Sequence, residues 1–292
     1  MKKMNLRGAK PITDNSIKEF IISLSPVEEL YNKDLQHQFT ENFFNWINSS
    51  SRNNLKGLES FTNQKLVAGT VQAFDHWYWR HKKRRFRVIR GEFMYHSAVL
   101  KNGGNLLYLD EDSFRENDAL IISVPFSDQG RQHDMLNEYL KTCDRLNIPV
   151  LLDFAYYPCT KNINLDLSQY QCVETVTFSI SKAFYGAEYL RVGVRFERND
   201  TDDGVDVFNS VDMINRISLS IGNSLIQKYS VDYNWDQYES VYNEICEELE
   251  LVKTDCIMFG LGGADYSNFN RGGDVNRVCI SELIGEKINV NS

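Results

Sequence analysis

The residues that could do chemistry begin with a lysine and two serines at the end of an apolar segment. Ser179, Ser181 and Lys182 follow residues 173–178, whose β-branched and aromatic side chains are typical of a buried strand. A lone lysine is most often a solvated surface group. A lysine at a strand end can instead form a Schiff base with a carbonyl compound if its pKa is lowered.

An aspartate closes a second apolar segment of the same kind. Asp153 follows residues 149–152, and Tyr156 comes shortly after it. In open α/β sheets, ligands bind beyond the carboxyl ends of the strands. Asp153 is therefore a second candidate for a side chain that binds a ligand.

Two further segments could bind a phosphate group. Arg191 follows Lys182 in an Arg-Val-Gly motif, and a guanidinium group can bind phosphate oxygens in a bidentate fashion. Gly193 would let the backbone pass closely. Upstream, Gly69 and Thr70 open a predicted helix, whose free N–H groups and dipole favour an anion.

In this order, the motifs D-x-A-Y, S-x-S-K and R-x-G within residues 65–197 resemble fold-type I enzymes that use pyridoxal 5'-phosphate (PLP), the aminotransferase class I/II superfamily. The resemblance implies that Lys182 forms the internal aldimine with PLP and moves the substrate α-proton. Asp153 would keep the pyridine nitrogen protonated, which makes the ring an electron sink. Tyr156 would donate a hydrogen bond to the phenolic oxygen of the cofactor.

The resemblance extends to the residues that hold the cofactor. Residues 69–71, Ser179 and Arg191 match its phosphate ligands. Tyr95 resembles the aromatic that stacks on the pyridine ring, and His96 is the neighbouring alternative. A purely structural role for Tyr95, in the core or at an interface, is the other interpretation. The predicted cofactor-binding set is Gly69, Thr70, Val71, Tyr95, Ser127, Asp153, Tyr156, Ser179, Ser181, Lys182 and Arg191.

The sequence departs from the family pattern at three points. Ser127 stands where many members carry an asparagine that donates to the phenolic oxygen, so the tuning of the cofactor is in doubt. The spacing from Lys182 to Arg191 is one residue longer than usual, which predicts a bulge or loose turn in residues 185–190. The chain is also short for the family, so we expect a trimmed N-terminal arm and small domain.

Many family members bind the substrate α-carboxylate with an arginine of the small domain. Arg277 opens a short predicted strand and is the candidate here, because a planar guanidinium matches a carboxylate. Arg271, in a glycine-flanked loop, is the alternative. A structural salt bridge would explain either residue without a substrate.

The predicted elements alternate between strands and helices, which indicates an α/β fold. We expect a PLP-dependent transferase-like large domain with a mostly parallel, seven-stranded type of sheet, and a reduced α+β small domain. Residues 135–146 form an amphipathic helix with one apolar stripe. Strands are predicted at residues 86–89, 106–109, 119–124, 150–153 and 173–179.

The large domain is expected at residues 55–200. The N-terminal helices, residues 1–54, would pack beside a small C-terminal domain of residues 205–292, which begins with a helix at 207–229. Asn15 or Ser16 could cap the first helix. The basic run at residues 80–85 is interpreted as a solvated helix end, with a phosphate- or partner-binding patch as the alternative.

Composition excludes several classes of function. The net charge of −8 argues against general nucleic-acid binding, and no apolar run reaches the roughly 18–20 residues that span a bilayer. The basic start of the chain, residues 1–4, lacks the apolar stretch of a secretory signal. The six cysteines show no C-x-x-C motif, so we expect reduced thiols in a cytoplasmic protein and no metal site.

Transamination of an amino acid or a related amine is the expected reaction. A PLP-dependent lyase or decarboxylase is the first alternative, because the asparagine is lost and the small domain is trimmed. A non-catalytic binding protein on a decayed aminotransferase scaffold, and an α/β protein without a cofactor, are the others. The resemblance further implies a homodimer, in which residues 60–65 are a candidate for completing the partner's phosphate site.

Overall fold

The computed structural model of the chain describes residues 6, 8–103 and 105–290. This part contains ten α-helices and eleven strands. The helices are α1 (Asn15–Ser23), α2 (Leu35–Asn48), α3 (Thr70–Arg80), α4 (Met94–Gly103), α5 (Leu136–Leu146), α6 (Ala187–Leu190), α7 (Gly204–Ser210), α8 (Arg216–Lys228), α9 (Tyr233–Glu248) and α10 (Ser281–Val290). The strands are β1 (Asn54–Lys56), β2 (Asn63–Val67), β3 (Arg85–Val88), β4 (Leu106–Tyr108), β5 (Asp118–Ser123), β6 (Val150–Asp153), β7 (Asn164–Asp166), β8 (Val173–Ser179), β9 (Gly193–Glu197), β10 (Phe259–Gly262) and β11 (Asn276–Cys279).

Seven strands form the central sheet in the order β2-β9-β8-β6-β5-β3-β4. Strands β4, β3, β5, β6 and β8 are parallel, whereas β9 runs antiparallel to its neighbours β2 and β8. Parallel neighbours require crossover connections, and helices supply most of them here. The predicted α/β fold with a mostly parallel, seven-stranded sheet is confirmed.

Alternate residues of the central strands face two different layers of helices. In β5, Leu120 and Ile122 join a core that includes α2, α5 and α8, whereas Ala119 and Ile121 join the core beneath α3 and α4. Because both faces are covered, every residue of β5 is buried. This explains why residues 119–122 of β5 read as a continuous apolar run in the sequence.

A second core joins the C-terminal elements to the N-terminal segment. Side chains of α9, α10, β10 and β11 pack together, and Ala9 and Ile12 pack against them. The carbonyl oxygen of Leu6 accepts a hydrogen bond of 2.9 Å from the N–H of Cys279. Helices α2 and α8 instead share the core of the sheet, and the division of the chain at residues 55 and 200 stays a prediction.

Two helix boundaries differ from those predicted. Asp14, and not Asn15 or Ser16, caps α1, because its Oδ1 accepts the N–H of Ser16 at 2.7 Å. The helix predicted at residues 207–229 is divided into α7 and α8. The division arises because the side chain of Asn215 caps a new helix by accepting an N–H of its first turn.

The basic run at residues 80–85 takes part in ion pairs that hold the fold. Arg80 donates to the buried carboxylate of Glu197 at 2.7 Å, and Arg85 donates to the buried carboxylate of Asp118 at 2.7 Å. These contacts tie the end of α3 and the start of β3 to the sheet. They favour a structural role for the run over a phosphate-binding patch.

Candidate active site

Three neighbouring strands bring polar side chains to one edge of the sheet. Ser123 ends β5, Asp153 ends β6, and Thr177 lies beside Asp153 on β8. Lys182 follows the end of β8 in a short turn. The register of the sheet therefore places the candidate aspartate and lysine at the edge where open α/β sheets bind ligands.

Asp153 is buried with one carboxylate oxygen available. The described residues give its carboxylate two hydrogen bonds of 3.1 Å, from the Thr177 hydroxyl and the Ala155 N–H, and both end on Oδ1. Oδ2 can therefore accept a bond from a ligand. Burial raises the pKa of Asp153 to about 7, and the negative charge of Glu92 adds to the rise. A positively charged donor at Oδ2 would restore the ionised form.

Lys182 lies close to both other predicted catalytic residues. Its Nζ donates to the carbonyl oxygen of Ala9 at 2.7 Å and lies 5.9 Å from the centre of the Tyr156 ring. The positive charge of Lys182 also lowers the pKa of Asp153. Burial lowers the pKa of Lys182, and the charge of Arg277 lowers it further. The amine is thus more readily neutral, which is the form that attacks a carbonyl carbon.

Tyr156 and Arg277 share a supporting ring. Phe259 packs edge-on against Tyr156 with ring centroids 6.0 Å apart, and the Arg277 guanidinium lies 4.7 Å from the centre of the same ring. Burial raises the pKa of Tyr156 to about 12, against the opposing charge of Arg277. The phenol therefore keeps its proton at neutral pH and can donate a hydrogen bond.

Both candidate substrate arginines contact Ser127. Arg277 is 5% exposed and donates from Nη1 to the Ser127 carbonyl oxygen at 2.5 Å. Arg271 donates from Nη1 to the same oxygen at 3.4 Å and to the Ser127 hydroxyl at 3.2 Å. The fold therefore brings two neighbouring arginines into contact with Ser127, which lies 144 residues before Arg271.

The predicted phosphate site is formed by the turn before α3 and by Arg191. Gly69 has a φ of 80°, and a Cβ added there would lie 2.5 Å from Nη2 of Arg191. Glycine thus allows both the turn and the close approach of the guanidinium group. Arg191 Nη2 also donates to the Ala68 carbonyl oxygen at 3.2 Å. A cation beside a helix N-terminus favours an anion.

The extra residue between Lys182 and Arg191 is accommodated in a helical turn. Helix α6 lies between Gly186, with a φ of 89°, and Arg191, with a φ of 56°. Ser179 connects the two ends of this loop, because its hydroxyl lies 3.1 Å from the Val192 carbonyl oxygen. The Ser179 hydroxyl also lies 2.9 Å from the Ser181 hydroxyl, so a phosphate would have to compete for both serines.

A cavity of about 540 Å³ borders Arg271, one of the two candidate substrate arginines. Its lining includes Glu92, Phe93, His96, Tyr108, Asn270 and Arg271. Sequence analysis missed Phe93 and Glu92. The positive φ of Gly91, 87°, turns the chain as it leaves β3, and the sequence alone does not show which following side chains then face the site.

Tyr95, the predicted stacking residue, is held away from this cavity. Its hydroxyl donates to Asp75 of α3 at 2.8 Å, and its ring stacks on Phe93 with centroids 6.1 Å apart. His96 borders the cavity and is fully buried, and burial lowers its pKa to about 3, which keeps the ring neutral. Phe93 is therefore an aromatic candidate that faces the site, while the role of Tyr95 stays a prediction.

Glu92 is a second buried carboxylate at the same sheet edge. Its Oε2 accepts the Ser123 N–H at 2.8 Å, and its Oε1 accepts the Phe93 N–H at 2.7 Å and the Ser123 hydroxyl. Burial raises the pKa of Glu92. These three hydrogen bonds hold the end of β5 to the turn that follows β3.

No protein-family model matches the sequence, and no curated protein sequence matches it. Solved structures do match. The tyrosine aminotransferase from Leishmania infantum has a TM-score of 0.68 at 13% identity, covering 99% of this chain and 94% of that chain. The histidinol-phosphate aminotransferase from Clostridium acetobutylicum has a TM-score of 0.62 at 13% identity, covering 97% of this chain and 96% of that chain. The PLP-bound C-S lyase from Staphylococcus hominis has a TM-score of 0.68 at 13% identity, covering 98% of this chain and 89% of that chain. The chain therefore has the fold shared by these aminotransferases and this lyase.

Proposed function

We propose that the chain is a PLP-dependent aminotransferase that acts on an amino acid or a related amine. The observation that carries this proposal is that one sheet edge holds the buried carboxylate of Asp153 and, at the end of the next strand, Lys182, whose charge acts on that carboxylate. Arg191, beside the start of α3, is the candidate anion site. The fold shared with two aminotransferases supports it.

The residues present fit PLP at each of its polar ends. The N-terminus of α3 and Arg191 suit the phosphate, and the free oxygen of Asp153 suits a protonated ring nitrogen. Lys182 supplies the amine that a PLP aldehyde needs. Burial of the ionised Asp153 carboxylate costs free energy, and pairing with a protonated ring nitrogen would offset that cost.

Bound PLP supplies an electron sink for the bonds at the substrate Cα. Lys182 Nζ would hold the cofactor covalently, and as a free amine it would take up and return the proton of the substrate Cα. Asp153 Oδ2 keeps the proton on the ring nitrogen. Tyr156 would donate a hydrogen bond to the phenolic oxygen of the cofactor, and Arg277 would bind the substrate α-carboxylate.

An absorbance spectrum with added PLP tests the proposal. We expect a band at roughly 410–430 nm that borohydride makes permanent by reducing the bond to the lysine. Peptide mapping should then place the label on Lys182. A colourless protein, or a label on another lysine, would contradict the proposal.

A donor screen separates transamination from the alternative of a lyase or decarboxylase. The C-S lyase matches with the same TM-score as the tyrosine aminotransferase, so the fold does not discriminate between them. A transaminase requires a 2-oxo acid acceptor, whereas a lyase turns over without one. Binding of PLP without turnover of any amine would favour the non-catalytic alternative.

We further propose that the chain forms a homodimer whose interface adjoins the phosphate site. Four apolar side chains of the α7 region are exposed by 46–67%: Val207, Phe208, Val211 and Met213. Two of them, Phe208 and Met213, border a cavity of about 280 Å³ that Arg191 also lines. An exposed apolar patch of this kind is typical of an interface.

Sedimentation of a charged variant tests the dimer. We expect Met213→Glu to shift the protein to a monomer and weaken PLP binding, because a buried charge without a partner opposes association. Val252→Glu is the control, since Val252 is also 67% exposed but lies outside the patch. A monomeric parent protein that binds PLP normally would contradict the shared interface.

We also propose a cytoplasmic location with reduced thiols. All six cysteines are buried and none is in a disulfide, which is typical of a reducing compartment. No helix in the described part of the chain is long and apolar enough to cross a bilayer. Among the described residues, no group of His, Cys, Asp and Glu side chains could hold a metal ion.

A further inference from the structure

A buried carboxylate faces the two candidate substrate arginines. Asp128 follows Ser127, whose carbonyl oxygen accepts hydrogen bonds from both Arg271 and Arg277. Asp128 is 1% exposed, and its negative charge acts on both guanidinium groups. Among the described residues, none donates a hydrogen bond to its buried Oδ1. A buried polar atom without a donor costs free energy, so this carboxylate calls for an explanation.

Two glycines fix the position of the Asp128 carboxylate. A Cβ added at Gly91 would lie 2.5 Å from Asp128 Oδ2, and one added at Gly273 would lie 2.3 Å from the same oxygen. Gly273 belongs to the segment that connects Arg271 to Arg277. Backbone therefore encloses the carboxylate on two sides, and it forms part of the same wall of the site as the two arginines.

The pKa of Asp128 lies close to neutral pH. Burial raises it to about 6, and the positive charges of Arg271 and Arg277 oppose the rise. The negative charges of Glu92 and Asp274 add smaller contributions in the same direction as burial. Asp128 is therefore mostly ionised at neutral pH, but it would take up a proton if a further negative charge came close.

We propose that Asp128 is the resident counter-charge of the two arginines, and that a ligand carboxylate replaces it in this role while Asp128 takes up a proton from the solvent. This inference rests on the proposed function, in which Arg277 binds the substrate α-carboxylate. Asp128 is then a positioning residue that acts through the arginines. Because the bound state holds more protons than the free state, affinity for a carboxylate rises as pH falls.

Calorimetry with methoxyacetate on the PLP-treated protein tests the inference. Methoxyacetate has one carboxylate and no amine, so it cannot react as a substrate, and it stays ionised between about pH 5.5 and about pH 8. We expect roughly five- to tenfold tighter binding at the lower pH, since repulsion between two carboxylates in a partly buried site is worth about that factor. Near pH 6.5, binding should take up roughly half a proton per ligand, measured by comparing buffers of different ionisation enthalpy.

Asp128→Asn should remove both signals. Asparagine has the same shape as aspartate and fits between the two glycines, and the unfolding transition of the variant checks that the fold is retained. At pH 8 the variant should bind methoxyacetate about tenfold more tightly than the parent protein, because the competing charge is gone. Its affinity should be the same at both pH values, without proton uptake.

Asp134→Asn is the matched control. Asp134 lies six residues further along the chain, but its side chain is 78% exposed and faces Arg131, so the variant should keep the pH dependence and the proton uptake of the parent protein.

Three results would overturn the inference. The first is that the parent protein does not bind methoxyacetate at either pH, and the second is that it binds without proton uptake. The third is proton uptake that persists in Asp128→Asn, because Glu92 or Asp153 would then be the group that takes up the proton. The PLP band of the same samples reports separately on the proposed function. A protein without that band that still shows the Asp128-dependent uptake would contradict the proposed function and support this inference.

Discussion

Lys182→Ala is expected to lose the PLP band that borohydride makes permanent and to lose turnover by a factor of about 10²–10⁴ or more. General acid–base catalysis alone is typically worth that factor, and the covalent bond is lost as well. Lys182 is the amine that approaches both Tyr156 and the charge of Asp153, so no neighbouring lysine in the described structure substitutes for it. PLP should still bind weakly, because Arg191 and the N-terminus of α3 are unchanged.

Lys161→Ala is the control for this variant. Lys161 is also partly buried, at 26% side-chain exposure, but its Nζ pairs with Glu239 at 2.7 Å outside the site. The control should keep the band and the turnover. Loss of both signals in Lys161→Ala, or a permanent label in Lys182→Ala, would show that the lysine has been assigned wrongly.

Asp153→Asn is expected to stabilise the protein without PLP and to weaken PLP binding. A carboxyl pKa of about 7 in the folded state exceeds the value of about 3.9 in the unfolded chain. Between these values the folded state binds more protons, so the free energy of unfolding falls as pH rises from about 4 to 7. At pH 8 the ionised Asp153 therefore opposes folding, by at most about 4 kcal/mol.

Asparagine removes that charge while its oxygen can still accept from Thr177 and Ala155. We expect denaturation of the protein without PLP at pH 8 to show a gain on the order of 1–3 kcal/mol that disappears near pH 4. PLP affinity should fall about tenfold or more, because a charge-assisted hydrogen bond is lost. Loss of stability at pH 8 together with unchanged PLP affinity would contradict the assignment.

Asp14→Asn is a control for which we expect the opposite change in the free energy of unfolding. Burial alone would raise the pKa of Asp14, but hydrogen bonds from Tyr238 and Ser16 outweigh it and lower the pKa. The ionised Asp14 therefore stabilises the fold above the carboxyl range, and this contribution is lost as pH falls. Asp14→Asn should lose stability at pH 8, where Asp153→Asn gains it.

The strands that carry the site were predictable from the sequence. The predicted strands at residues 150–153 and 173–179 coincide with β6 and β8. Both are almost fully buried, and each ends in a polar residue at the sheet edge, although β8 carries Glu174, Thr175 and Thr177 among its apolar residues. The positions of Asp153 and Ser179 at strand ends therefore follow from local sequence patterns alone.

The site residues on irregular backbone were harder to predict. Whether Phe93 or Tyr95 faces the cavity depends on the turn at Gly91, which the sequence marks only as a glycine. The contact of Arg271 and Arg277 with Ser127 joins segments that are 144 and 150 residues apart. Local patterns cannot show such pairing, and motif order indicated only that one of the two arginines was a candidate.

The contacts of Lys182 have a consequence for the order in which the site can form during synthesis. Lys182 binds the carbonyl of Ala9, 173 residues earlier in the chain, while Arg277 binds Ser127, 150 residues before it. At roughly 5–20 residues per second, a ribosome needs about 5–20 seconds to make the 95 residues that lead from Lys182 to Arg277. A nascent chain therefore carries the lysine proposed to bind PLP before it carries the arginine proposed to bind the substrate. Any PLP captured at that stage would be held by a chain that still lacks the proposed substrate arginine.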